Sequence, residues 1–248
     1  MYRKYTSAYF KLVMDEMESV TSFDNEEDRK AMGNAIRNII LKSGPTTISR
    51  RSSRKDKFIA SSVFQPVGEI INTISAIENI EIYIRRFPYA KQGISQLGYL
   101  RYHVENYLYE IYILKERLLF YLKILEKSYR KSSEGRNIQR KIKPLYSVVS
   151  STLKQPISVR NYHVHVHRIS NQEFDRLSTL ELLSKSDKDH GRLMRAEFIS
   201  GCRKAKKEWA ITIKSSLVDI HKLLEIYFCV LSRAVFRNGR ILIPDILK

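Results

Sequence analysis

Residues 97–125 read LGYLRYHVENYLYEIYILKERLLFYLKIL, and the period of the apolar letters in this run decides the fold. Leu97, Leu100, Val104, Tyr107, Ile111, Leu114, Leu118, Tyr121 and Leu125 follow alternating spacings of three and four, which puts them on one stripe of an α-helix. Leu108, Tyr112, Leu119 and Leu122 widen the stripe. A half-buried strand would alternate by two instead. The pattern predicts a long core helix over about 93–131.

Outward from that helix the same period recurs. Ile213, Leu217, Ile220, Leu224, Tyr227 and Leu231 predict a second long helix over roughly 190–236, with an interruption expected near Gly201. Val67, Ile70, Ile74, Ile77, Glu81 and Ile84 predict a third that ends before Pro88. Shorter helices are expected at about 3–19 and 25–43; Asp24 with Glu27 opens the latter as a capping box and Gly44-Pro45 closes it. Residues 45–61, PTTISRRSSRKDKFIAS, mix basic and hydroxyl residues without helical period and are expected to form a mobile connector. A basic turn, KSSEGRNIQRKIKP, is expected to separate the long helix from a helix or extended piece at 145–154.

Strand signals are scarce, and neither internal repeats nor a Gly-rich phosphate loop occur. The expected fold is all-α: an up-and-down helical bundle with two long amphipathic helices and a short helix bearing the motif discussed below. Two parts are expected, an N-terminal helical arm and basic connector at 1–61 and a helical bundle at 62–248.

The chain has 248 residues, 43% of them apolar, enough for a sizeable core. Its 44 Lys and Arg against 26 Asp and Glu leave a formal charge of +18, spread along most of the length. Such a field attracts polyanions without naming one. Cys202 and Cys229 lack C-x-x-C spacing, which argues against a thiolate zinc site or a disulfide framework and fits free thiols. The first residues, MYRKYTSAYFKLVMDEM, are basic and aromatic rather than uncharged and apolar, and no apolar stretch reaches membrane-spanning length. A soluble cytoplasmic protein with no membrane partner is expected.

The chemistry concentrates in residues 160–168, RNYHVHVHR. As a strand, this run would put His163, His165 and His167 on one face, where alternate imidazoles could share a zinc ion. A strand needs ladder partners, however, and the rest of the chain offers almost none. As a helix, the run is bounded by Ser158 as a cap after Pro156 and by SNQE at 170–173, a capping box that starts a new helix before Phe174. Asn161 and His165 then share a face, with Arg160, His163 and His167 on a neighbouring stripe.

An Arg, then an Asn, then a His five positions after the Arg resembles the signature of the HEPN superfamily, here Arg160, Asn161 and His165. The long tyrosine-rich helix upstream, NYLYEIYILKERL, and the order of helices are similar to HEPN bundles as well, over roughly 65–236. The resemblance implies a metal-independent endoribonuclease with no cofactor. It also implies a homodimer with two copies of the Arg-His pair in one composite cleft, and a role as a toxin or antiphage defence effector with a regulatory or antitoxin partner protein. In some toxins of the family a Tyr two residues after the His is modified by a partner nucleotidyltransferase. Here that position is His167, which weakens the expectation of such a partner and leaves the catalytic set intact.

RNA carries its own nucleophile, so the protein need only move protons and stabilise charge. An imidazole titrates near ~6.5, which suits His165 to base or acid work at neutral pH. The Arg160 fork suits phosphate oxygens as charge builds, and Asn161 orients the imidazole or binds phosphate. His167 is the rival catalytic imidazole and His163 an accessory contact. Arg168 and Arg176 are candidates for the RNA backbone, or equally for a solvated helix face. His103 and His221 are expected to be satisfied structural histidines. The competing readings are a non-catalytic RNA-binding bundle, a metal-binding protein using HVHVH, and a structural helical protein in which the Arg-His cluster satisfies helix ends.

Overall fold

The computed structural model describes residues 4–21, 54–86, 93–154, 156–158, 172–185 and 189–247. Among these residues seven α-helices pack against one another: α1 (Lys4–Thr21), α2 (Arg54–Phe58), α3 (Gln65–Arg85), α4 (Gln96–Tyr129), α5 (Gly135–Thr152), α6 (Gln172–Leu183) and α7 (Asp189–Val235). The all-α expectation holds. Strand structure among the described residues is limited to one hairpin, Phe236–Arg237 paired antiparallel with Arg240–Ile241. The expected helix at 25–43 lies outside the described residues.

The 97–125 stripe is buried as its period requires. All nine of its primary positions, Leu97 through Leu125, lie in the core. Ser95 starts α4 by accepting the Gly98 N–H at 3.1 Å, a side-chain cap for an otherwise unpaired donor. Cross-links fix the direction of its neighbours. Arg117 meets Glu69 at 2.5 Å and the Tyr99 hydroxyl donates to the Tyr83 carbonyl at 3.0 Å, so α3 runs antiparallel to α4. The Tyr227 hydroxyl donates to the Leu118 carbonyl at 2.8 Å, which seats the second half of α7 directly on the middle of α4.

Tyr9, Tyr107, Tyr121, Tyr129 and Tyr227 are buried in the core. Tyr9 and Tyr121 are fully buried with their hydroxyls 2.6 Å apart, and the Tyr129 hydroxyl donates to the Leu242 carbonyl. Each of these polar tips has a partner, which is the condition for burying a phenol at low cost. Tyr9 brings α1 into this same core, and the Glu225 carboxylate on α7 caps α1 by accepting the N–H groups of Tyr5 at 2.7 Å and Thr6 at 3.1 Å. A carboxylate there also meets the positive end of the helix dipole.

Three boundaries differ from the sequence reading. The expected connector at 45–61 is helical from Arg54 onward: α2 passes through a π-helical turn, Ile59–Phe64, into α3 without leaving helical backbone. Gln65 N–H reaches back five residues to the Ala60 carbonyl just before Pro66, whose ring nitrogen has no proton to continue the ordinary ladder. The basic turn is shorter than expected, because α5 begins at Gly135 and carries Pro144 inside it. Its buried positions Ile138, Ile142, Leu145 and Val149 show why: packing at helical spacing overrides the proline. Gly135 is required there, since a β-carbon would stand 2.3 Å from the Tyr129 carbonyl oxygen.

The interruption expected near Gly201 is absent. α7 runs unbroken for 47 residues, and Gly201 serves close packing against Leu177 instead. None of the helices among the described residues is long and apolar enough to cross a membrane.

Candidate functional site

Arg160, Asn161, His163, His165, His167 and Arg168 all lie outside the described residues. What is described is the frame that holds both ends of that stretch. On the upstream side α5 ends at Thr152, Leu153 N–H bonds the Val149 carbonyl at 3.2 Å, and residues 156–158 are helical. Ser158 closes this helical piece, and the helix it is expected to cap lies outside the described residues. On the downstream side α6 starts at Gln172, where the SNQE sequence places it.

Besides Leu177 against Gly201, contacts through Phe174 and Ser178 hold α6. Phe174, Leu177 and Leu180 are buried. Phe174 stacks on Trp209 of α7 with ring centroids 6.4 Å apart, and the Arg101 guanidinium of α4 lies 5.7 Å from the centre of the Phe174 ring. Arg101 also donates to the Ser178 hydroxyl at 3.0 Å. Arg176 points outward and pairs with Glu197 at 3.0 Å. That pair is exposed on both sides, so it holds Arg176 only weakly and leaves its charge at the surface.

A cleft of about 450 Å³ adjoins the upstream end, with Thr152, Leu153 and Pro156 on one side and Trp209, Ser216 and Asp219 of α7 on the other. Tyr107 closes its floor; burial raises the phenol's pKa and Ser216 bonds it. Among the described residues this cleft is lined by hydroxyls and one carboxylate, with no lysine or arginine.

Cations collect at the two ends of α4 instead. Near its start, a cleft of about 250 Å³ is lined by Arg85 and Arg86 from the end of α3, Gln96, Tyr99 and Leu100 from α4, and Arg203 and Lys206 from α7. Near its end, Lys123, Lys127, Arg130 and Arg136 line a second cleft of about 430 Å³, together with the Glu126 carboxylate that accepts from the Tyr146 hydroxyl at 3.0 Å. Among the described residues, the first has no acidic residue in its lining.

Of the histidines expected to be structural, His221 has its partner, Glu78, at 3.2 Å. His103 departs from the expectation. It is buried among Tyr83, Tyr99 and Tyr102, with ring centroids 5.5, 4.3 and 5.2 Å away, yet its Nδ1 has no hydrogen-bond partner among the described residues. Burial lowers its pKa, which keeps the ring neutral.

The basic cleft at the start of α4 was missed in the sequence. Its signal was present: Arg85-Arg86 directly follows the last apolar position of one helix, and Arg203 and Lys206 stand three apart on another. Nothing in the sequence says that these two pairs meet. Comparison of the chain with protein-family models, with curated proteins and with solved structures finds no match.

Proposed function

We propose that this chain is a metal-independent endoribonuclease of the HEPN type, cutting RNA at Arg160 and His165. The observation that carries the reading is the Arg160-Asn161-x-x-x-His165 spacing in a chain whose fold is an all-α bundle of long amphipathic helices. The charge of +18 supports a polyanionic substrate.

In this reaction the ribose 2′-OH attacks the adjacent phosphorus while the bond to the 5′ oxygen breaks. His165 accepts the 2′-OH proton, and a second imidazole, from a second copy of the chain in a composite site, protonates the departing 5′ oxygen. The products are a 2′,3′-cyclic phosphate and a 5′-hydroxyl. Arg160 binds the phosphate oxygens as negative charge builds, and Asn161 orients the imidazole. Arg168 and Arg176 hold the strand by its backbone. An antitoxin or other regulatory protein that silences the enzyme belongs to the same reading.

The test is incubation of the pure chain with total RNA in EDTA, followed by analysis of the new ends. Cleavage with 2′,3′-cyclic phosphate ends supports the proposal. Cleavage that a chelator abolishes, together with stoichiometric zinc, would move the assignment to the HVHVH metal reading.

A further inference from the structure

We propose that the cleft between the end of α3, the start of α4 and the middle of α7 is a binding site for single-stranded RNA, separate from the cutting residues. Arg85, Arg86, Arg203 and Lys206 come from two chain segments far apart in sequence and converge on one cleft. Four like charges brought together destabilise the fold unless an anion joins them. Arg85 has Glu81 at 2.6 Å; Arg86, Arg203 and Lys206 have no carboxylate partner among the described residues. Gln96 opens α4 at the cleft, so the positive end of the dipole of a 34-residue helix lies beside it.

The surface beside the cleft supplies what a base needs. Tyr99 lines the cleft and bonds the Tyr83 carbonyl at 3.0 Å, while Tyr83 and Tyr102 pack around His103 yet remain 49% and 61% exposed. Cations for phosphates beside open aromatic rings for bases are the combination that grips a single strand without reading its sequence. Duplex RNA, with its bases stacked inside, has no use for the rings. A free mononucleotide would not need the row of tyrosines outside the cleft.

The choice of RNA over other polyanions rests on the function proposed above, and the experiment keeps the two apart. Binding of a short fluorescent oligouridine strand to the full chain is followed by anisotropy in EDTA over a range of salt. Arg203→Ala/Lys206→Ala is expected to weaken binding about tenfold and to flatten the salt dependence by about 1.4 in log–log slope, about 0.7 per lost phosphate contact. Tyr102→Leu is expected to weaken binding about tenfold through lost stacking, with the salt slope unchanged. Melting curves establish that both variants stay folded.

In the cleavage-dead Arg160→Ala/His165→Ala background, adding Arg203→Ala/Lys206→Ala should still weaken binding about tenfold. Affinity unchanged in the Arg203/Lys206 variant, duplex bound as tightly as the single strand, or uridine monophosphate competing at the strand's own concentration would each overturn the site. Binding with these signatures but no cleavage by the wild type would leave the site standing and remove the nuclease.

Discussion

A β-carbon on residue 201 would stand 2.5 Å from the Cδ2 methyl of Leu177, so α6 approaches α7 at the one position on that face where the side chain is a hydrogen. Gly201→Ala therefore sets two effects against each other. Helix propensity favours alanine by about 1 kcal/mol, while displacing a buried leucine costs about 1–3 kcal/mol. The net expectation is a lower melting temperature. In a Leu177→Ala background the clash is gone and Gly201→Ala should become stabilising. A stabilising Gly201→Ala in the wild-type background would show that Leu177 yields freely and that the close approach holds nothing in place.

The same residue shows how far the sequence can be read. Apolar period is a local property, and it located α4, α7 and α3 to within a few residues because buried faces must follow the helix repeat. Gly201 was misread because a glycine signals a break when only the local chain is considered; its role depends on Leu177, which the period does not place opposite it. Arg54–Ser61 was misread for a related reason: it opens on the polar letters RKDK, yet Phe58 and Ile59 are buried against the rest of the bundle. Gly239 follows the same logic in reverse. Asn238 and Gly239 both have positive φ, and the pair is a standard turn signal between two short strands that the scarcity of other strand signals concealed. For the site, the Arg-Asn-x-x-x-His spacing is legible from the letters alone, whereas convergence of Arg85-Arg86 with Arg203 and Lys206 exists only once three helices are assembled.

Buried phenols should set the alkaline limit of the fold. Burial raises the pKa of Tyr9, Tyr121 and Tyr227 above that of a free tyrosine. A phenol in the unfolded chain ionises near ~10, so the unfolded state loses protons first as pH rises past that value. The stability these groups contribute is complete below that pH and is lost progressively above it. Denaturant melts at rising pH should show a fall beginning near ~10 that is shallower in Tyr227→Phe. Phenolate absorbance should reveal a class of tyrosines that ionise only as the helical signal disappears. All fifteen tyrosines titrating freely in folded protein would contradict the burial.

A matching acid limit is expected from His103. Its pKa is lowered by burial, so the folded state holds the ring neutral while an unfolded histidine takes a proton below ~6.5. The stability that depends on this neutrality is present above that pH and falls as pH drops through the unfolded value and then the folded one. Replacing the ring by His103→Phe removes the unpartnered Nδ1 along with the proton, and keeps an aromatic face toward Tyr83, Tyr99 and Tyr102. Melting temperatures measured from neutral to mildly acidic pH should drop less in the variant than in the wild type. Parallel curves would mean that His103 does not couple to folding in this range.

The choice of His165 over His167 as the catalytic imidazole rests on the Arg-Asn-x-x-x-His spacing, because a helix would put Arg160 on the stripe of His167 and only Asn161 on that of His165. If residues 160–168 form a helix, four residues separate Asn161 from His165 and place the amide one turn below the imidazole it is proposed to orient, while Arg160 stands one residue before Asn161. His167 falls two residues further, roughly 200° around the helix axis from His165, so the two imidazoles cannot serve the same phosphate from one copy of the chain. His165→Ala should therefore reduce the rate of RNA cleavage by about 10²–10⁴-fold, the range for losing a general acid or base, whereas His167→Ala should keep most of it. Because acid and base are two copies of one residue in the proposed site, the wild-type rate should pass through a maximum with pH. One limb reports the imidazole that must be neutral and the other the imidazole that must carry its proton. Asn161→Ala should move that maximum while leaving a measurable rate, since it acts on the ring and not on the phosphorus. A loss confined to His167→Ala, with His165→Ala active and its pH maximum unmoved, would transfer the catalytic role to His167 and with it the face of the helix that meets RNA.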